Sequence, residues 1–273
     1  MKNIKMIVSD IDRTILPTGD KTFHPKVIEA FKKTKEKGLI NTLATGREFI
    51  TSIHLINQIK NIDYLVGGNG SFIYDVSKND FLQISNLDFD LTNEFINWVN
   101  DKHPGTGLNV IDDMHFFLSP DGHSLERDFT KSNPELILEI KDFVNKVNKE
   151  RISLIVITHG NKSFLEDTKK WLEKNGNNKL AMNTIWTDQV WFITRPNINK
   201  FDSLKWLADK LNISTKDIIS FGDGKNDVEL LSKSGIGVAV EDAFPEALAA
   251  TNHRTLSSRK QGVPHYLEKN KII

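Results

Sequence analysis

The chain has 273 residues, 38% hydrophobic and 26% charged, with 36 Lys+Arg balancing 36 Asp+Glu for a formal net charge of zero. This length holds one large α/β domain or a core with a second module, and the balanced charge gives no global basic field to recruit nucleic acid. Cys is absent, which excludes disulfides, thiolate chemistry and Cys-ligated zinc and suits a cytoplasmic protein.

The apolar stretch between Met1 and Asp10 is too short for a signal peptide or a membrane span, so no membrane partner is expected. It reads as a strand ending at Asp10. A helix over 25–37 follows, with Val27, Ile28 and Phe31 on one face and Gly38 as its stop. A second strand over 39–44 ends in Thr45-Gly46-Arg47. A helix through Ile50, Ile53, His54 and Asn57 leads to a strand over 64–66, closed by Gly67-Gly68-Asn69-Gly70. Helical crossovers between such strands imply a parallel sheet.

Residues 86–188 have a different texture. A helix is expected over 91–100, then strand-like runs over 108–111 and 115–119 with Asp112-Asp113 as the turn between them. Asn133-Pro134 reads as a cap with proline at the first helical position. It opens a longer helix whose apolar residues Leu136, Ile137, Ile140, Phe143, Val144 and Val147 keep helical spacing. A strand over 152–157, a helix over 163–174 and a strand over 180–186 complete a mixed module.

From Val190 the α/β rhythm returns. A strand over 190–194 and a helix over 199–211 precede a strand over 217–221, which runs into Gly222-Asp223-Gly224-Lys225-Asn226-Asp227. A helix through Val228, Leu230 and Leu231, a strand over 236–240 and a helix from Pro245 follow. The expected architecture is α/β: a Rossmann-like, doubly wound parallel sheet formed by residues 1–85 and 189–273, with residues 86–188 inserted as an α+β cap domain.

Chemistry in open α/β sheets gathers beyond the carboxyl ends of the strands. Both acidic motifs, Asp10-x-Asp12 and Asp223-x-x-x-Asp227, follow apolar runs. If their strands are neighbours, four carboxylates converge, which is costly unless a divalent cation neutralises them; Mg²⁺ with oxygen ligands is the natural choice. Each motif also has a plain reading. Asp-x-Asp is common in loops, and acidic residues are favoured at helix N-termini.

Together the motifs resemble those of the haloacid dehalogenase (HAD) superfamily of phosphatases, the Cof-like group with a large α+β cap. Asp10-x-Asp12-x-Thr14 looks like the first motif, Leu43-Ala44-Thr45-Gly46-Arg47 the second, Lys200 the third, and Gly222-Asp223-Gly224-Lys225-Asn226-Asp227 the fourth. The resemblance implies that Asp10 is the nucleophile forming an aspartyl-phosphate and Asp12 the general acid/base. It also implies Mg²⁺ held by Asp10, Asp12, Asp223 and Asp227. Thr45 and Lys200 would hold phosphoryl oxygens, with Gly46, Arg47 and Asn226 at the substrate. The expected activity is hydrolysis of a small phosphorylated metabolite, a sugar phosphate above all. Alternatives are a phosphotransferase or mutase using the same aspartyl-phosphate, or a non-catalytic binding protein of the same fold.

Two positions depart from the pattern. Arg13 stands where Gly is usual, and its guanidinium either points into the cleft or lies across the surface. Asp242 stands where the family often has Asn. Arg47 either reaches phosphate or forms a salt bridge across the sheet end. Asn69 reads as a turn residue. Trp98, Trp171 and Trp206 read as packing, and Trp186 and Trp191 as hinge packing or cleft wall.

Overall fold

The computed structural model describes residues 3–187 and 190–273, without the side chains of residues 183–187. The chain divides into two compact units: one from residues up to Arg47, Ser52–Gln83 and Asn199–Ile273, the other from Glu48–Thr51 and Ile84–Ile198.

In chain order, the first unit opens with β1 (Met6–Ser9), α1 (Pro25–Glu36), β2 (Ile40–Ala44), α2 (Phe49–Ile59) and β3 (Tyr64–Gly67). Two short strands not expected from the sequence follow, β4 (Phe72–Asp75) and β5 (Asp80–Ile84). β4 returns antiparallel along β3. The reversal uses Asn69 and Gly70, with φ of 55° and 104°. A Cβ on Gly70 would stand 2.3 Å from the Asn199 carbonyl oxygen, so only glycine fits there.

The second unit contains α3 (Phe89–Lys102), β6 (Gly107–Ile111), β7 (Phe116–Leu118), α4 (Arg127–Ser132), β8 (Ile137–Glu139), α5 (Phe143–Lys146), β9 (Leu154–His159), α6 (Lys162–Asn175), β10 (Ala181–Thr187) and β11 (Val190–Thr194). Its six-stranded sheet runs β10-β11-β9-β6-β7-β8. Pairing is antiparallel except between β7 and β8. Asp112 turns the β6–β7 hairpin by accepting hydrogen bonds from the backbone N–H groups of Met114 and His115. One face is sealed by an aromatic cluster in which Phe95, Trp98, Phe164, Trp171 and Trp191 pack with Leu108, Val110, Ile155 and Ile157. Trp98, Trp171 and Trp191 are therefore packing residues, whereas the Trp186 side chain lies outside the described residues.

Two expectations need correction here. The single helix expected from Asn133-Pro134 is a series of short pieces: a 3₁₀ turn at Pro134–Leu136, β8, a second turn at Ile140–Asp142, and α5. Helical spacing is met, but Ile137–Glu139 pairs with β7 and so supplies that strand with hydrogen-bond partners. Ile140 and Phe143 still reach the core while Val144 is 45% exposed. Tertiary pairing thus overrides local periodicity. The strand over 190–194 belongs to the second sheet, where β11 pairs with β10 and β9, so the return expected at residue 189 occurs at Asn199. A continuous apolar run fits a buried strand of either sheet. The expected boundary itself, residues 188 and 189, lies outside the described residues.

The chain re-enters the first unit with α7 (Lys200–Lys210), β12 (Ile218–Gly222), α8 (Val228–Lys233), β13 (Ile236–Val240), α9 (Pro245–Ala249), β14 (His253–Thr255) and α10 (Gly262–Lys269). Its eight-stranded sheet runs β14-β13-β12-β1-β2-β3-β4-β5, parallel from β14 to β3. Met6, Val8 and Ile218 share one face and pack against Leu204, Leu207 and Ala208 of α7 and Leu230 of α8. The pleat turns Phe221 to the opposite face, where it meets Tyr266 of α10 edge-on, with ring centroids 5.6 Å apart. Helices thus cover both faces of a parallel sheet, the doubly wound α/β arrangement. Among the described residues, no helix is long and apolar enough to cross a membrane.

Candidate functional site

β1 and β12 lie in register, Ser9 opposite Phe221, so Asp10 and Gly222 leave the sheet side by side. The Asp10 N–H donates to the Phe221 carbonyl at 3.0 Å. On the other flank Ser9 lies opposite Leu43, which brings the end of β2 alongside. Thr45, just beyond it, is fully buried; its N–H donates to the Val66 carbonyl at 2.8 Å and its hydroxyl oxygen accepts from the Arg47 N–H at 3.1 Å.

Lys200 arrives from above the same strand ends. It is the first residue of α7, whose N-cap Asn199 accepts from the Asp202 N–H at 2.8 Å. Ser203, one turn on, donates its hydroxyl to the Gly70 carbonyl at 2.7 Å and locks the helix start to the β3–β4 turn. The Lys200 ammonium is 1% exposed and donates to Asp10 Oδ1 and Asp227 Oδ1, each at 2.7 Å. A cation at a helix N-terminus opposes the helix dipole, so these two carboxylates hold it there.

Asp227 turns its other oxygen, Oδ2, to the backbone N–H groups of Asp223 at 3.1 Å and Gly224 at 2.9 Å. A Cβ on Gly222 would stand 2.6 Å from the Asp227 Cβ, so glycine is what lets the loop close on this carboxylate. Asp10, Asp223 and Asp227 each offer an oxygen within 4.8 Å of the others. Burial pushes the Asp10 carboxyl well above the ordinary carboxylate range; Lys200 pulls it down, and Asp227, Asp223 and Asp12 push it further up. Burial and then Asp227 push Asp223 up to about 7, against Arg13, Lys200 and the Thr14 hydroxyl. For Lys200, burial acts to lower the ammonium pKa, but Asp10 and Asp227 outweigh it and raise the value.

Asp12 stands apart from this trio. Both of its oxygens are taken by Arg47, Nε at 2.7 Å and one terminal nitrogen at 2.6 Å, a fork-to-fork pair. Of the two readings of Arg47, the salt bridge is the observed one. Arg13 neither lies free on the surface nor opens toward solvent alone: its Nε is 3.2 Å from Asp223 Oδ2. The Asp242 backbone carbonyl also accepts from Arg13 at 2.8 Å, while the Asp242 side chain is exposed.

Asn226 donates to the Asn69 side-chain oxygen at 2.8 Å. A Cβ on Gly46 would approach that same oxygen to 3.1 Å. Asn69 is therefore more than a turn residue: it ties the second and fourth motifs together. Sequence reasoning missed this, and missed Thr14, whose hydroxyl donates to Asp223 Oδ1 at 3.3 Å. The turn-prone Gly-Gly-Asn-Gly string was the available signal for the first, and the Thr of Asp-x-Asp-x-Thr for the second.

The donor set, three buried carboxylates offering only oxygen, suits a hard divalent cation such as Mg²⁺. Burial and the mutual repulsion of the carboxylates outweigh Lys200 at Asp10, and Lys200 with Arg13 at Asp223, and a bound divalent cation would relieve both.

Comparison with known proteins gives a consistent answer. The family profile for haloacid dehalogenase-like hydrolases matches residues 7–267. Pyridoxal phosphate phosphatase YbhA of Escherichia coli is 27% identical over 91% of this chain and 92% of its own length. From Bacillus subtilis, 5-amino-6-(5-phospho-D-ribitylamino)uracil phosphatase YitU is 22% identical over 96% of each chain. The fold is shared with a haloacid dehalogenase-like hydrolase from Bacteroides thetaiotaomicron, at a TM-score of 0.84 and 20% identity over 97% of this chain and 99% of that one. It is also shared with a HAD subclass IIB sugar phosphatase, at a TM-score of 0.76 and 19% identity over 98% of this chain and all of that one. With a profile spanning nearly its whole length and relatives that are phosphatases, this chain belongs to the haloacid dehalogenase-like hydrolase family, as an enzyme of the phosphoric monoester hydrolase type.

Proposed function

We propose that the chain is a Mg²⁺-dependent phosphatase that releases phosphate from a small phosphorylated metabolite through an aspartyl-phosphate. The observation that carries this reading is Asp10 at the end of β1, held by the buried Lys200 ammonium and within reach of the Asp223 and Asp227 carboxylates. An Asp10 oxygen attacks phosphorus and the leaving oxygen departs, taking a proton from Asp12. Asp12 then removes a proton from water, which attacks the same phosphorus, frees inorganic phosphate and restores Asp10.

Thr45, Lys200 and Asn226 would donate to the phosphoryl oxygens, with the Gly46 backbone beside them. Arg47 would leave Asp12 for the incoming phosphate, since a carboxylate gripped on both oxygens by a guanidinium has no proton to give. Mg²⁺, held by Asp10, the Asp12 carbonyl, Asp223 and Asp227, would supply the charge neutralisation that lets an anionic nucleophile approach an anionic ester.

The relatives act, by their names, on pyridoxal phosphate and a phosphoribitylamino-uracil, and one structural relative on sugar phosphates. A small phosphorylated metabolite is therefore the substrate class, with sugar phosphates first in the panel. Residues inserted between the two halves of the core are assigned the selection of the leaving group, and the Cys-free composition supports a cytoplasmic setting. The test is a panel of phosphorylated sugars, nucleotides and cofactor phosphates, assayed for phosphate release with Mg²⁺ and with EDTA, beside Asp10→Asn. Release should need Mg²⁺ and vanish in the variant; turnover that persists in EDTA or survives Asp10→Asn refutes the mechanism.

A further inference from the structure

Arg13 occupies backbone that a side-chain-bearing residue rarely adopts. Its φ is 63°, in the left-handed region, where an ordinary residue is held only if its surroundings over-determine it. Three contacts do so. Arg13 Nε lies 3.2 Å from Asp223 Oδ2, a terminal nitrogen donates to the Asp242 carbonyl at 2.8 Å, and the guanidinium stacks 4.7 Å above the Phe244 ring centroid. These anchors are joined to one another, because the Phe244 N–H donates to the Asp223 carbonyl at 2.8 Å. The Asp223 carboxylate is itself fully engaged, with Oδ1 accepting from Thr14 and Oδ2 facing Arg13.

We propose that Arg13 is a tethered cation that competes with the divalent ion for Asp223 and thereby sets the affinity of the site for that ion. The inference rests on the divalent-ion reading given above and adds to it the residue that opposes loading. The two partners differ in freedom. Asp223 is 7% exposed and fixed, whereas the Arg13 side chain is 38% exposed and can turn out to solvent. An ion approaching Oδ2 therefore displaces an ion-paired guanidinium rather than water. A half-exposed ion pair of this kind is worth up to about fivefold in binding. Thr14, a neutral donor at 3.3 Å, opposes loading far less.

Mg²⁺ affinity, measured by calorimetric titration of MgCl₂ into chelator-treated protein with no substrate present, tests this. Arg13→Asn removes the charge with a residue that tolerates positive φ, and Arg13→Gly removes it with no backbone strain. Thermal unfolding without Mg²⁺ identifies the folded variants. Both substitutions should tighten Mg²⁺ binding by about two- to fivefold; unchanged or weaker binding in a folded variant overturns the proposal. Asp223→Asn separates this from failure of the divalent-ion reading. If it abolishes binding while the Arg13 variants bind as wild type, only the role of Arg13 falls. If it leaves binding intact, Asp223 is not a ligand and both fall.

Discussion

Replacing Lys200 with Met keeps most of the side-chain volume and removes the ammonium that lies 2.7 Å from both Asp10 and Asp227. At an effective dielectric constant near 20, each contact is worth about 6 kcal/mol of Coulomb attraction before desolvation is charged against it. The net loss for breaking a buried pair is about 3–5 kcal/mol, because the partners stay behind uncompensated. For a unit of this size that lowers the unfolding midpoint by roughly 6–20 °C. The loss should depend on pH. Lys200 itself is charged in folded and unfolded states across pH 5–8, since its folded value is raised above the ordinary 10.5, so it adds no slope in that window. The slope comes from Asp223, whose carboxyl is raised to about 7 and so carries a proton at pH 5 that it has lost by pH 8, while Asp10 is shifted in the same upward direction by its burial. Without the ammonium that ionisation is resisted more strongly. Urea unfolding of wild type and Lys200→Met in EDTA, at pH 5 and pH 8, measures this, and the deficit should be clearly larger at pH 8. An equal deficit at both pH values, or one below about 1 kcal/mol, refutes the electrostatic reasoning.

Three further outcomes follow from the same geometry. Asp223 is raised from 3.8 to about 7. The folded state therefore holds a proton that the unfolded state has lost, and this stabilisation fades as pH rises from about 4 through 7. Asp223→Asn in EDTA should match wild type near pH 4 and exceed it by up to about 4 kcal/mol at pH 8, whereas a constant difference across that range contradicts the shift. Gly222→Ala forces a methyl against Asp227 and should cost about 1–3 kcal/mol of stability together with most of the phosphatase activity, read by calorimetry and phosphate release. Arg47→Lys keeps a charge but loses the two-bond fork that holds Asp12 at rest and that, in the proposed reaction, passes to the phosphate. It should lower kcat by about 10–100-fold at saturating substrate, and an unchanged kcat would show that the fork is dispensable.

The strands that build the first sheet are visible as short apolar runs with turn residues behind them: β1 before Asp10, β2 before Thr45, β12 before Asp223. Their burial on both faces is what makes them continuous. The acidic motifs were legible for the same reason, since each sits where such a run stops. What stayed hidden was decided by distant partners. Ile137–Glu139 is a strand because β7 offers it hydrogen bonds, although its spacing is helical. Val190–Thr194 looks like any buried strand, and only pairing assigns it to the second sheet. The pairs Arg47 with Asp12 and Arg13 with Asp223 join residues 35 and 210 positions apart respectively in the numbering, and no local pattern selects one carboxylate over another.

β1 lies between β2 and β12, and that placement bears on how the protein comes into being on the ribosome. Thr14 and Asp223, which touch in the finished site, are separated by 209 positions. At ordinary elongation rates the second of them emerges roughly 10–40 s after the first. Throughout that interval the β12-facing edge of β1 has no strand to cover it, an aggregation hazard that nascent-chain chaperones are suited to shield. The acidic centre is thus a late product of translation, and a ribosome-stalled fragment ending before Ile218 would hold the proposed nucleophile without the carboxylates that complete its surroundings.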